Sequence, residues 1–123
     1  MTFYRCRHCG NIICHLNDSG VRCRCCGEEM EALVPNTTDA AGEKHVPVIR
    51  TEGRTVTVTV GSVEHPMLEA HYIQWIVLET SQGSQYKGLK PGDPPAAVFA
   101  MSEGETVISA YEYCNLHGLW QGK

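Results

Sequence analysis

No stretch of this sequence approaches the ~18 consecutive apolar residues that a membrane-crossing helix needs, and the opening residues MTFYRCRHCG contain no apolar signal region. These absences predict a cytoplasmic protein with no membrane partner. Positive charge is scarce as well: 10 Lys+Arg stand against 14 Asp+Glu, for a formal net charge of −4. That balance argues against nucleic acid or an anionic membrane surface as the main partner. The chain has no internal repeat, no low-complexity tract and no convincing amphipathic helical pattern, so neither a repeat array nor a helical bundle is expected.

What is present is a globular composition, 42% hydrophobic and 20% charged, over 123 residues. That length suits one ordinary domain or a small domain plus a medium one. Cysteine is abundant: seven, of which six fall between Cys6 and Cys26 and the last is Cys114. In a reducing compartment such clustering points to metal binding more than to disulfides. A secreted disulfide scaffold is the competing reading, but the export signal is missing.

The cysteine-rich segment occupies residues 1–34, and residues 35–42, within VPNTTDAAGEKHVP, read as a linker. From residue 43 to 123 the character changes. RTVTVTVGS (54–62) alternates Val with Thr, the pattern of a half-buried strand. HYIQWIVLET (71–80), PAAVFAM (95–101) and TVISAYEY (106–113) read as further strands, with VPVIR (46–50) and SQYKGLK (84–90) as shorter ones. Turn signals TEG, SQG, KPGDPP and SEGE separate them. Several short strands without helices predict an antiparallel β-sandwich. Its core is modest, so a bound metal would be a useful staple.

Cys6 and Cys9 form a C-x-x-C turn, and CRCCGEEM adds Cys23, Cys25 and Cys26. Two thiolates from each turn make a tetrahedral four-sulfur site; the signal is strong for metal and weak for which metal. The second pair is ambiguous. Cys23 with Cys26 repeats the C-x-x-C spacing, whereas the neighbours Cys25 and Cys26 reach one ion only if the backbone turns between them. A hairpin through NDSG (17–20) would set Cys14 opposite Cys23 as a pair outside the metal site, free or occasionally oxidised to a disulfide. His8 and His15 lie in the same region and read as exposed residues, since four cysteines already close the site.

EYCNLHGLW (112–120) ends a strand at Cys114 and places His117 in the following loop. His45, His65 and His71 also stand near predicted strand ends. Each alone would be an incidental surface or core residue, but four imidazoles and a thiolate at the loops of one small sandwich have a joint meaning. Structural zinc is normally four-coordinate and closed. Five protein ligands point to a metal that favours six, with one position open, and iron fits mixed imidazole and thiolate ligation.

The motifs HCGN, CCGEEM, EKHVPVI, GSVEHPM, KPGDPP and EYCNLHG, in this order over about residues 4–120, resemble the desulfoferrodoxins, the two-iron form of superoxide reductase. The resemblance implies an all-β chain: a desulforedoxin-like Fe(Cys)4 domain followed by an immunoglobulin-like antiparallel β-sandwich with an Fe(His)4Cys centre. It implies Cys6, Cys9, Cys25 and Cys26 as ligands of the first iron, and His45, His65, His71 and His117 as equatorial ligands of the second, with Cys114 axial. Cys14 and Cys23 depart from the usual family pattern. The implied reaction is reduction of superoxide to hydrogen peroxide with one electron and two protons at the open sixth position. Lys44 resembles the lysine that attracts the anion and orders water for proton delivery, and Glu43 the carboxylate that takes the sixth position in the oxidised state. Rubredoxin as electron donor and a homodimer are family expectations.

Three other readings compete. A non-catalytic iron or zinc module for electron transfer or structure explains the N-terminal cysteines but leaves the histidine set without a purpose. A metal hydrolase working through activated water needs neither an axial thiolate nor five protein ligands. Superoxide dismutation would require the metal to be oxidised and reduced by superoxide in turn.

Overall fold

The computed structural model describes all of residues 1–123. It divides into two compact units, Met1–Val34 and Pro35–Lys123. No helix is long and apolar enough to cross a membrane.

The N-terminal unit contains five short strands: β1 (Phe3–Arg5), β2 (Ile12–Cys14), β3 (Arg24–Cys25), β4 (Glu28–Glu29) and β5 (Glu31–Ala32). β1 lies between β2 and β5 in one antiparallel sheet, while β3 and β4 form a separate hairpin. Only Phe3, Cys6 and Met30 are buried here, so the apolar core is very small. The hairpin expected through NDSG does not form: β2 pairs with β1, Phe3 opposite Cys14, and β3 pairs with β4. The physical reason is local competition. Asp18 Oδ1 accepts the Gly20 N–H at 2.8 Å and Ser19 Oγ the Val21 N–H at 3.4 Å, so side chains take donors that a ladder would need. Cys14 and Cys23 are therefore not cross-strand partners.

The larger unit opens with a single helical turn, α1 (Gly42–His45), and continues with seven strands: β6 (Pro47–Glu52), β7 (Thr55–Val60), β8 (Ile73–Thr80), β9 (Gly83–Gly88), β10 (Ala96–Ala100), β11 (Val107–Cys114) and β12 (Gly118–Gly122). They form two antiparallel sheets, β10-β7-β6 and β12-β11-β8-β9. The Thr/Val alternation of β7 has the expected effect: Val56, Val58 and Val60 are buried and pack with Ile73, Ile76, Leu78, Ala97, Phe99, Ala110 and Cys114 in one core. Each such aliphatic side chain contributes about 1.5–3 kcal/mol by leaving water. β12 and α1 were not anticipated from the sequence. Within residues 35–42, Asn36 takes the Gln121 N–H on its Oδ1 at 2.8 Å and gives its amide to the Gln121 carbonyl at 3.1 Å.

One irregularity matters for function. On β11, Tyr113 pairs with Trp75 but Cys114 pairs with Ile73, a register shift that leaves Gln74 unmatched. A bulge of this kind re-aims the side chains beyond it. It puts Ile73 on the core face with Ile76 and Leu78 and fixes the partner of Cys114 at the strand's end.

Candidate metal centres

In the N-terminal unit, the sulfurs of Cys6, Cys9, Cys25 and Cys26 all lie within 4.8 Å of one another. Cys23 is not among them; its sulfur lies 3.7 Å from His15 Nε2. The choice between Cys23 and Cys25 is made by the backbone. Cys25 pairs with Glu28 across a two-residue loop, and both loop residues have positive φ, Cys26 at 52° and Gly27 at 78°. Such a left-handed pair is the favoured turn of a tight hairpin, and it swings Cys26 round to join its neighbour. The first turn supplies N–H groups: the Cys9 amide points to Cys6 Sγ at 3.5 Å, and Asn11 Nδ2 reaches Cys25 Sγ at 3.7 Å.

The donor chemistry fits a cation. Hydrogen bonding from the Cys9 amide is the main influence that lowers the Cys6 thiol to about 6. Cys26 is pushed up to about 12, chiefly by its hydrogen bonds with Cys9 and Cys6. The first thiolate forms readily and the last does not, unless positive charge sits among the four sulfurs.

In the sandwich unit, His45 ends α1, His65 lies in the β7–β8 connection, His71 just precedes β8, and Cys114 and His117 flank the start of the β11–β12 turn. Neighbouring rings stand edge to face: His45–His65 at 4.7 Å between centroids, His65–His71 at 4.6 Å, His71–His117 at 5.0 Å and His117–His45 at 4.9 Å. The opposed pair His45–His71 is 6.5 Å apart and closer to parallel, at 29°. The ratio of that distance to the others is near that of a square's diagonal to its side. The Cys114 sulfur is within 4.8 Å of the donor nitrogens of His45, His65 and His71, and 3.9 Å from His117 Nδ1. The sulfur is thus close to a donor nitrogen of each of the four rings.

The proton positions are fixed by the outer hydrogen bonds. His45 Nδ1 donates to the Ala41 carbonyl at 2.8 Å and His65 Nδ1 to the Pro66 carbonyl at 2.6 Å. Their Nε2 atoms then carry lone pairs, yet these atoms face each other at 3.2 Å, with His117 Nδ1 3.1 Å from His45 Nε2. His71 Nε2 is buried without any hydrogen-bond partner. Protonation does not relieve the crowding, because burial lowers the pKa values of His45 and His71 and takes His65 down to about 4. Burial likewise raises the Cys114 thiol, an effect partly offset by the backbone N–H groups of Leu116 and His117. Converging lone pairs that cannot hold protons, beside a thiol short of a counter-charge, fit a metal cation.

Several residues that sequence reasoning did not single out hold this arrangement. Asn115 Oδ1 accepts the Tyr72 N–H at 2.9 Å, and its amide donates to the Ala70 carbonyl at 3.1 Å, tying the segment that carries His71 to the turn that carries Cys114 and His117. Trp120 stacks on His45 at 4.9 Å and donates to the His117 carbonyl at 3.1 Å. Gly61 has φ +81°, and a Cβ there would stand 2.7 Å from the Glu43 carbonyl. The Val63 N–H and Ser62 hydroxyl bond that carbonyl, at 3.0 and 3.3 Å, which anchors the exposed Glu43–Lys44 pair. Burial is the main cause of the lowered pKa values of His45 and His71, and the charge of Lys44 adds a smaller effect in the same direction. Glu112, two residues before Cys114, is fully buried with neither carboxyl oxygen hydrogen-bonded, and burial raises its pKa well above the ordinary range.

This constellation defines a metalloprotein with one four-sulfur and one imidazole–thiolate donor set. The desulfoferrodoxin family model matches residues 37–123. A desulfoferrodoxin from Nitratidesulfovibrio vulgaris is 49% identical over 98% of this chain and 94% of its own length. The crystal structure of the superoxide reductase from Treponema pallidum superposes with a TM-score of 0.85 at 40% identity, covering 99% of this chain and 98% of that one. The 1Fe-SOR superoxide reductase from Giardia intestinalis, at 35% identity and a TM-score of 0.56, covers 65% of this chain and 95% of that one. The chain belongs to the desulfoferrodoxin family.

Proposed function

We propose that this protein is a superoxide reductase, an oxidoreductase that converts superoxide to hydrogen peroxide by adding one electron and two protons. The observation that carries the proposal is the square of imidazoles formed by His45, His65, His71 and His117 with the Cys114 sulfur beside all four. Five donors so placed leave the side opposite the sulfur for a small ligand. The activity of relatives such as the Treponema pallidum superoxide reductase supports the same reading. These five side chains would hold iron, which when bound would supply the single electron.

The chain's own residues do the rest. The Nδ1–H bonds of His45 and His65 to backbone carbonyls keep the donor nitrogens aimed inward. The buried sulfur of Cys114 is shielded from water by the sandwich core. Lys44, exposed and electrostatically linked to His45 and His71, attracts the superoxide anion and orders water for protonation. Glu43, its neighbour on α1, would offer a carboxylate ligand to the same metal. We assign residues 1–34 to the domain of the first iron and residues 43–123 to the catalytic sandwich, with 35–42 connecting them. An external donor restores the electron; rubredoxin, a homodimeric assembly and a cytoplasmic location complete the proposal.

Anaerobic superoxide titration of protein loaded with both irons tests it. One equivalent of peroxide per superoxide consumed, without oxygen release, is expected. Oxygen appearing in half-stoichiometric amount would identify dismutation instead, and the absence of any superoxide consumption by the iron-loaded protein would leave the non-catalytic module.

A further inference from the structure

Two cysteines take part in neither donor group: Cys14 and Cys23, both exposed. They stand beside a side-chain array of their own. Cys23 Sγ lies 3.7 Å from His15 Nε2, and the other nitrogen of that ring, Nδ1, is 3.5 Å from Asp18 Oδ1. The carboxylate is itself fixed by the Gly20 N–H at 2.8 Å. The imidazole is largely covered, its side chain 13% exposed, because it stacks on Tyr4 at 4.9 Å and 18°, while Arg22 lies 5.5 Å from the Tyr4 ring centre. Thiol, imidazole and carboxylate thus follow one another in a line, with the ring plane set by an aromatic partner. Cys14 precedes His15 directly, and its sulfur is 4.0 Å from the His15 carbonyl.

The order of these contacts has a chemical consequence. In the tautomer whose Nδ1–H faces Asp18, His15 Nε2 is an acceptor facing the Cys23 thiol. A thiol beside such an acceptor and open to solvent is the arrangement that makes cysteine a nucleophile towards soft oxidants. The segment between the two cysteines is open to solvent and pairs in no ladder: Leu16 and Val21 are fully or largely exposed, and residues 15–23 form no strand.

We propose that Cys23 is a peroxide-reactive thiol, served by His15 and Asp18, and that Cys14 is its resolving partner, giving the N-terminal unit a second site separate from its four-sulfur group. The Cys23 sulfur attacks one oxygen of hydrogen peroxide. The S–O bond forms as the O–O bond breaks, the thiol proton passes by way of His15 Nε2 to the departing hydroxide, and water leaves. The Cys14 sulfur then attacks the sulfenic sulfur of Cys23, a disulfide forms and a second water leaves. Two thiols are oxidised by two electrons in all, and one peroxide is reduced to two waters. The site needs only peroxide, whatever its source, so it does not depend on the reading of the second iron.

The test treats the full chain, loaded with both irons, with hydrogen peroxide, blocks remaining thiols by alkylation and maps them by mass spectrometry. The expected product is a Cys14–Cys23 disulfide that dithiothreitol reverses. In Cys14→Ser, a sulfenic acid on Cys23 should be trapped by dimedone. His15→Phe keeps a ring against Tyr4 but removes the acceptor, and should slow Cys23 oxidation by a factor on the order of 10². The visible spectrum of the first iron, unchanged in each variant, shows that the unit remains folded. Cys23 that stays fully alkylatable after peroxide, or an oxidation rate unaffected by His15→Phe, overturns the proposal.

Discussion

In the N-terminal unit the four donor sulfurs come from two tight turns, Cys6–Cys9 and Cys25–Cys26, and two of the four are exposed. In the sandwich the donors arrive from a helical turn, a strand end and loops, with His45 and His117 separated by 72 positions, and His45, His65 and Cys114 are buried. The first group is organised by its own backbone, through positive φ at Cys26 and N–H contacts to sulfur. The second is organised by a core that exists without it, from Val56 and Ile73 to Phe99. A site made by turns needs its ion to hold the turns together. A site made by a scaffold can leave one coordination position open, because the scaffold rather than a full shell keeps the ligands in place.

Removing metal is the sharpest way to break this comparison. A thiolate-bound structural metal contributes on the order of 10 kcal/mol to folding, far more than the small core of Phe3, Cys6 and Met30 can replace. In chelator-treated protein, amides of Met1–Val34 should lose protection from hydrogen exchange, while those of β8 and β11 keep theirs. Equal protection in both units would mean that the N-terminal turns hold themselves. Replacing a scaffold-borne ligand should act the other way. Cys114→Ala should remove the second iron and abolish superoxide reduction, yet leave the first iron's visible spectrum in place. Loss of an outer-shell partner alone costs ~10–100-fold in metal affinity, so a direct ligand costs more.

Much of this contrast was legible beforehand. The Val/Thr alternation of 55–60 and the β-branched run of 73–80 announced the sandwich because a period of two has one physical reading. β12 escaped because Gly118 and Gly122 bound a short run that looked like loop, and its pairing with Tyr111 and Glu112 is a tertiary fact. The NDSG hairpin failed because Asp18 and Ser19 capture backbone donors locally. The histidine set could be named from the sequence, but not its cyclic order, nor which nitrogen of each ring points inward, since these depend on the Ala41 and Pro66 carbonyls. Asn115 was invisible for the same reason: its two bonds reach a segment 43 and 45 positions away.

Acid should separate the two units again. His65 has a pKa of about 4 in the folded chain against an ordinary 6.5, because burial disfavours its charged form. Above pH 6.5 both folded and unfolded chains hold it neutral. As pH falls from 6.5 towards 4, the unfolded chain takes up the proton and the folded one does not, so the metal-free sandwich loses stability in that window. The loss is on the order of 2–3 kcal/mol, and His45 and His71 act in the same direction. Urea midpoints of metal-free protein at pH 7.5 and 4.5 measure it. A His65→Gln variant should show a flatter dependence, and an unchanged wild-type midpoint would mean that these rings are solvated. Smaller again is the effect of Lys44→Ala, which should lower the second-order rate with superoxide about tenfold and reduce its dependence on ionic strength, with iron content unaltered.

The smallest expected change bears on how the scaffold reaches the iron ligands. Trp120 does two things at once: its ring stacks on His45, and its Nε1–H holds the His117 carbonyl at 3.1 Å. Its main chain belongs to β12, whose pairing with β11 places Trp120 opposite Glu112. Trp120→Phe keeps an aromatic face for His45 but removes the donor. The His117 carbonyl then loses a hydrogen bond, a stability cost of about 1 kcal/mol. If the sandwich positions His117 through this contact, the visible and EPR signatures of the second iron should shift while those of the first do not. The same stability loss with an unaltered second-iron spectrum would show instead that the ion holds His117 without help, and the scaffold-built site would then resemble the turn-built one more closely than its burial implies.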